Sequence, residues 1–344
     1  VNVSVLIPTF QRPAKLAACI HFLARQSTDA TFEVVIGLDG PCPESERAAR
    51  QAWSTGLNAS SPARDLRIIQ CERAGYTLVR NHLLREARGQ LLLSLNDDVI
   101  ASHHLVNTHW QEHQRRRAAG LGKAIIVGDA PYARRPMGEL DSLLDRLIRE
   151  TSMVFFYDCM NTPEALAAPD KDWGFRHCFG LNFSADLAAV REVGGFLALP
   201  HIYGYDDIEL GFKLTRRFNM PVLYRPKALV THDHFYTAAA LLQRERSLGR
   251  AAWAFAGANP AFALAVFGRD IRDEAELTYS REFVARERTA ADRSRATLSS
   301  LEHIPADSIH GDHAAQIIHA LYEQHLLLKR WEWRQGLLEA ARAT

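Results

Sequence analysis

Along residues 1–100, short apolar runs alternate with stretches whose apolar positions recur every three or four residues. The runs at 3–7, 33–38, 66–70 and 90–95 are rich in branched aliphatic residues and have strand length, whereas the stretch opened by Pro13 and the one near 77–87 carry helical periodicity. Strand, helix and strand at this spacing predict βαβ units. Such units wind a mostly parallel sheet whose ligands gather at the carboxyl ends of the strands. The residues just past those ends are Pro8 to Arg12, Asp39 with Gly40, and Asn96 to Asp98.

A second region, about 153–230, mixes apolar runs with a Gly194-Gly195 turn and a helix-like stretch at 207–218. From Tyr236 onward the pattern is helical. The stretches 241–256 and 313–341 carry it, the latter with Ile317, Leu321, Leu328 and Trp331 on one face. Trp331 and Trp333 read as packing residues there. The charged stretch 269–307 holds few large apolar residues and is expected to form a solvated helix or a mobile arm.

Composition narrows the class. With 344 residues, 47% hydrophobic and 24% charged, the chain suits one large α/β domain with an appended helical part. A net charge of +1 gives no global field for nucleic acid. The five cysteines are scattered, without zinc-site spacing or the density of a secreted scaffold, and are expected to be reduced thiols in a cytoplasmic protein. No charged-then-apolar leader opens the sequence as given. The most apolar later stretch, 251–267, is short for a membrane span and is interrupted by Gly257, Asn259 and Pro260. It is expected to be a buried helix pair or a peripheral membrane contact.

Asn96-Asp97-Asp98 places two carboxylates and an amide on a loop at the sheet's carboxyl edge. A hard divalent cation bound by carboxylate oxygens there would neutralise the charge that develops on a departing diphosphate. Asn and Asp are also common turn formers after strands, so the run alone reads as a turn before it reads as a metal site.

Its companions change that. Val5-Leu6-Ile7-Pro8-Thr9-Phe10-Gln11-Arg12-Pro13, then Asp39-Gly40, then Gly75 followed by Arg80-Asn81, then the acidic run, form an order that resembles the family 2 glycosyltransferases of GT-A fold. The likeness continues through Asn182-Phe183-Ser184, Gly194-Gly195-Phe196 and the segment Gly204-Tyr205-Asp206-Asp207-Ile208-Glu209-Leu210-Gly211, and covers about residues 3–234.

The resemblance implies an α/β GT-A architecture, Rossmann-like, with a mostly parallel sheet flanked by helices and a C-terminal helical extension. Residues 1–235 would be the transferase domain, with 1–130 as nucleotide-sugar half and 131–235 as acceptor half, and 236–344 the helical region. It implies a nucleotide-sugar donor, UDP-linked by default, with Mn²⁺ or Mg²⁺ as the metal. Transfer would go with inversion to a saccharide, lipid-linked or other hydroxyl acceptor. Pro8, Thr9 and Arg12 fall where the family's first loop meets the nucleotide, Asp39 where the base is read, and Arg80 at base or phosphate. Asp97 would lie by the ribose and Asp98 would hold the metal, helped by His232, with His234 the weaker match. Asp207 aligns with the general base and Asp206 would orient the acceptor.

Trp173 and Tyr205 could stack on an acceptor sugar, or serve as ordinary core aromatics. Two positions depart from the family pattern: Asn96 stands where an aspartate is usual, and Leu38 precedes Asp39 where aspartates are often paired. They keep open a non-catalytic nucleotide-sugar-binding scaffold of the same fold. A nucleotidyltransferase is a further alternative, though the first strand is followed by no glycine-rich, lysine-bearing loop. A homo-oligomer through the C-terminal helices completes the expected partners.

Overall fold

A computed structural model describes residues 1–57 and 64–343. In chain order the elements begin with β1 (Val3–Thr9), α1 (Pro13–Ala24), β2 (Phe32–Asp39), α2 (Pro43–Gly56), β3 (Arg64–Cys71), α3 (Tyr76–Glu86), β4 (Leu91–Leu95), β5 (Val99–Ala101) and α4 (Leu105–Ala118). They continue with β6 (Ile125–Gly128), α5 (Leu143–Glu150), α6 (Pro163–Leu166), β7 (Asn182–Asp186), α7 (Leu187–Glu192), α8 (Asp206–Phe218), β8 (Val222–Arg225) and β9 (Val230–His232). The rest is helical: α9 (Ala238–Ala258), α10 (Pro260–Phe267), α11 (Glu274–Arg286), α12 (Arg288–Ser300) and α13 (Ala314–Ala343).

These elements form two compact units. The first holds Val1–Pro131, Cys159–His201 and Asp206–Asp233; the second holds Tyr132–Asp158, Ile202–Tyr205 and His234–Thr344. The helical part therefore takes in two segments from before residue 236.

In the first unit a seven-stranded sheet runs in the order β3-β2-β1-β4-β7-β6-β8. Pairing is parallel from β3 to β4 and between β6 and β8, while β7 is antiparallel to both β4 and β6. Both β1 and β4 are buried at every residue, as expected for central strands covered on both faces. The polar break in β1, Ser4, is satisfied by donating to Glu33 Oε1 at 2.6 Å. Pro13 and Pro43 open α1 and α2, where the missing N–H costs nothing.

The chain gives little local sign of α4, because its buried face carries His109, His113 and Arg116 beside Leu105 and Val106. The two imidazoles are anchored on β7. His109 lies 2.8 Å from Ser184 Oγ and 3.0 Å from Asn182 Oδ1, and His113 lies 2.8 Å from the same serine. Burial pushes them down, to about 4 and about 3 respectively.

In the second unit α9 and α13 pack backbone to backbone. A Cβ on Gly249 would stand 1.9 Å from the Trp333 carbonyl oxygen, and one on Gly336 would stand 1.8 Å from that of Arg246. Residues 269–307, expected as a solvated helix or mobile arm, instead form α11 and α12 and send Leu277, Phe283, Val284, Ala291, Leu298 and Leu301 into the core. Few apolar residues suffice when each stands on the inward face. Asn259 ends α9, and its side chain caps α10 at Phe262 N, with Pro260 in the first turn. Among the described residues no helix is long and apolar enough to cross a membrane.

Candidate active site

Parallel pairing of β1 with β2 and β4 brings the loops after these strands to one edge. Thr9 Oγ1 donates to Asp97 Oδ2 at 2.6 Å, and one guanidinium nitrogen of Arg12 lies 2.9 Å from both Asp97 Oδ1 and Asp98 Oδ2. The two carboxylates are buried, whereas the Arg12 side chain is 41% exposed. Burial, then the charge of Asp98, push the Asp97 carboxyl up, while Arg12 and Thr9 hold it down in part. Pro8 is buried within β1, and Gln11, between Phe10 and Arg12, adopts φ 51°, a left-handed conformation that bends the loop toward the acids.

Asn96 turns the other way. Its side-chain oxygen accepts from the Tyr76 hydroxyl at 2.6 Å, and the Cys19 thiol stands 3.7 Å from its carbonyl. Asp39 Oδ1 accepts from the amides of Ala74 at 2.8 Å and Gly75 at 3.2 Å, so it shapes the loop that enters α3. That loop requires glycine at 75, where φ is 97° and a Cβ would meet His201 N at 2.8 Å.

His232 reaches the acids through strand register. In the β5–β9 ribbon Val99 pairs with His232, and Asp233 N donates to Asp98 O at 2.8 Å. His232 Nε2 thus comes within 3.5 Å of Asp98 Oδ1. Lys15 on α1 pins the end of the ribbon by its 2.8 Å ion pair with Asp233. One donor atom each from Asp98, His232 and His234 lie within 4.8 Å of one another. A small divalent ion holds ligands at about 2.1 Å and so within ~4 Å of each other. The cluster needs only small side-chain movements to close on one, and its imidazoles suit Mn²⁺ better than Mg²⁺.

The resemblance places Arg80 at the donor, but its guanidinium is buried. It donates to Asp206 Oδ2 at 2.9 Å and to the Gly180 carbonyl at 3.0 Å, between the rings of Tyr76 and Phe196. Asp206, expected at the acceptor, is likewise buried in this pair. Asp207 Oδ2 accepts from Gly180 N at 2.7 Å and Oδ1 from Ile208 N at 2.8 Å. Burial first, then the neighbouring Asp206, push its carboxyl up to about 6.

Gly180 is the residue that sequence reasoning missed. Its amide holds Asp207, its carbonyl receives Arg80 and Ser94, and a Cβ would stand 2.8 Å from the Arg80 guanidinium. The available signal was a glycine two residues ahead of the Asn182 motif.

Trp173 lies beside β8, its amide donating to the Val222 carbonyl and its ring 3.8 Å from Lys171 Nζ. It lines a cavity of about 610 Å³ with Glu112, Tyr224 and Arg225. Tyr205 is not brought to such a surface. Its hydroxyl accepts from Trp333 Nε1 at 2.9 Å and its ring meets Phe255 and Phe267, inside the helical unit.

A sheet of this order, with an acidic loop and a histidine at its carboxyl edge, defines a GT-A-like fold with a cluster able to bind a divalent metal. Residues 4–166, just under half of the chain, match the glycosyl transferase family 2 model. Two curated relatives, validoxylamine A glucosyltransferases from Streptomyces hygroscopicus subsp. limoneus and subsp. jinggangensis (strain 5008), are each 30% identical over 227 residues. The alignments cover 61% of this chain and 47% and 50% of the relatives, so the chain spans about half their length. A mannosyltransferase from Pyrobaculum calidifontis, solved in complex with GDP-Man and Mn²⁺, shares the fold at a TM-score of 0.51 and 15% identity, over 99% of this chain and 86% of that one.

Proposed function

We propose that the protein transfers a sugar from a nucleotide-diphosphate sugar to a hydroxyl acceptor, with inversion at the anomeric carbon. The observation that carries this is the meeting of Thr9, Arg12, Asp97 and Asp98 at adjoining strand ends with His232 beside Asp98. Thr9, Arg12, Asp39 and Asp97 bind the nucleotide, the carboxylate of Asp39 accepting from the base and that of Asp97 from the ribose. Asp98 and His232 would hold a divalent ion, and such an ion would supply charge neutralisation at the departing diphosphate. Asp207 takes the proton from the acceptor hydroxyl as its oxygen attacks the anomeric carbon. The bond from that carbon to the diphosphate breaks on the opposite face. Arg80 and Asp206 act through position, fixing the start of α8 under Asp207.

UDP-glucose is the first donor to test, since the curated relatives are named as glucosyltransferases; GDP-mannose follows from the structural neighbour. The acceptor class is a saccharide or other hydroxyl compound. Five free thiols support a cytoplasmic location.

Thermal melting with each nucleotide sugar, with and without Mn²⁺, tests the donor site, because a ligand of the folded state raises the midpoint in proportion to its affinity. A shift that grows with Mn²⁺, together with transfer that disappears in Asp207→Asn while the shift survives, is the expected result. If no nucleotide sugar shifts the midpoint in either condition, the donor-site reading is wrong; shifts without turnover under any acceptor favour a binding scaffold.

A further inference from the structure

The helical unit carries a second, open cavity, of about 530 Å³, which the transfer chemistry leaves unused. Its size falls in the range of small-ligand sites, roughly 300–1,000 Å³. Phe267, Tyr279, Phe283, Tyr322 and Trp333 supply aromatic walls. Phe156 and Tyr279, also lining it, are 47% and 45% exposed, so large aromatic surface stands open to water at this place.

The charges along the walls do not balance. Arg269 and Arg334 share one carboxylate, Glu276, at 2.8 and 2.7 Å. The lining acid, Glu245, is engaged by Arg244 at 2.8 Å. Lys329 donates to the Met153 carbonyl, a neutral partner, and Arg330 is exposed and forms no ion pair among the described residues. The cavity therefore combines an apolar body with an excess of positive charge. Burial also holds the Lys329 ammonium below its ordinary range, a cost that a bound anion would offset. The wall is rigid, because Arg334 is stacked 4.5 Å from Tyr279 and 5.4 Å from Phe283 while paired to Glu276. Trp333 is fixed by its bond to Tyr205 and by the close α9–α13 crossing.

We propose that this cavity binds an organic phosphate with an apolar body, the ring or chain against the aromatic walls and the phosphate against Lys329 and Arg330. Lysine and arginine together offer a point charge and a planar fork to phosphate oxygens. All the lining residues lie in the helical unit, so the donor-site reading can fail without affecting this site.

Isothermal titration of the full chain with phenyl phosphate, geranyl phosphate, phenol, geraniol and inorganic phosphate tests it. One ester should bind at least about tenfold more tightly than both its own alcohol and inorganic phosphate. A preference for phenyl phosphate identifies a compact aryl ligand, and a preference for geranyl phosphate a lipid phosphate. Lys329→Met and Arg330→Gln should each weaken that ester several-fold and quench its effect on tryptophan fluorescence. Should Lys329→Met fail to fold, the exposed Arg330→Gln carries the comparison, with circular dichroism as the check. Esters no tighter than their alcohols, or binding unchanged in a folded Arg330→Gln, overturn the proposal.

Discussion

The guanidinium of Arg80 lies 2.9 Å from Asp206, with both side chains almost fully buried, so the first carboxylate of the Asp206-Asp207 pair is committed to a cation and the second is not. Two backbone amides stabilise the ionised form of Asp207, yet burial and the adjacent Asp206 outweigh them and raise its carboxyl to about 6. A base poised there is ionised at neutral pH while remaining a better proton acceptor than an ordinary carboxylate.

Replacing Asp207 by Asn should lower kcat by ~10²–10⁴-fold, the usual worth of a general base. Donor affinity, read by titration, should stay nearly constant. In the unmodified protein kcat should rise with pH through about 6 and then level off. The sign for stability is opposite. A carboxyl whose folded value is raised contributes stability that is complete below its unfolded value and is lost as pH rises through about 6. A kcat that is flat from pH 5 to 8 would remove Asp207 from the role.

Breaking the Arg80–Asp206 pair from one side should be costly. Arg80→Met leaves a buried carboxylate uncompensated, and ~3–5 kcal/mol of unfolding free energy should be lost in urea titration. Arg80→Met combined with Asp206→Leu should recover much of the loss. If the double variant is no more stable than the single one, the pair is not the unit that matters.

Arg12 stands against the metal cluster as its counter-charge, taking an oxygen of Asp98 as well as one of Asp97. Arg12→Gln should therefore tighten Mn²⁺ binding, by up to about tenfold in calorimetry, because one positive charge no longer competes for the carboxylate. It should weaken nucleotide-sugar binding at the same time. Mn²⁺ affinity that falls in parallel would show that Arg12 organises the cluster rather than competing with the ion.

His109 and His113 are buried and neutral, with values lowered to about 4 and about 3. Once unfolded they take up protons near pH 6.5, so the stability they contribute is complete above that value and is lost as pH falls toward 4. Unfolding free energy should drop by roughly 1.4 kcal/mol per pH unit for each histidine across this window. Double replacement by Gln should flatten the slope in urea titrations at pH 4.5 to 6.5.

Some of this was legible in the chain. Central parallel strands are mostly apolar, so β1, β2 and β4 announce themselves, and the residues at or just past their ends include Thr9, Arg12, Asp39, Asp97 and Asp98. By contrast, α4 hides its buried face behind His109, His113 and Arg116, whose polarity is satisfied only by β7. Motif alignment assigned Arg80 to the donor, whereas its burial beside Asp206 depends on a contact 126 residues away in the chain. His232 meets Asp98 through the register of a two-stranded ribbon, a tertiary pairing that local pattern does not encode. Gly180 has no side chain to signal its part, which is played by its amide and carbonyl.

Strand β7 enters the sheet antiparallel, between β4 and β6, with Leu95 at the end of β4 opposite Asn182 at its start. The acidic loop leaves the first of these ends, and Gly180, which grips Asp207, precedes the second. Acid cluster and base are therefore mounted on one hydrogen-bonded ladder, like the two jaws of a fixed jig. A motion that parts them has to bend the short segments joining each to the sheet, since the ladder itself holds the two strand ends side by side.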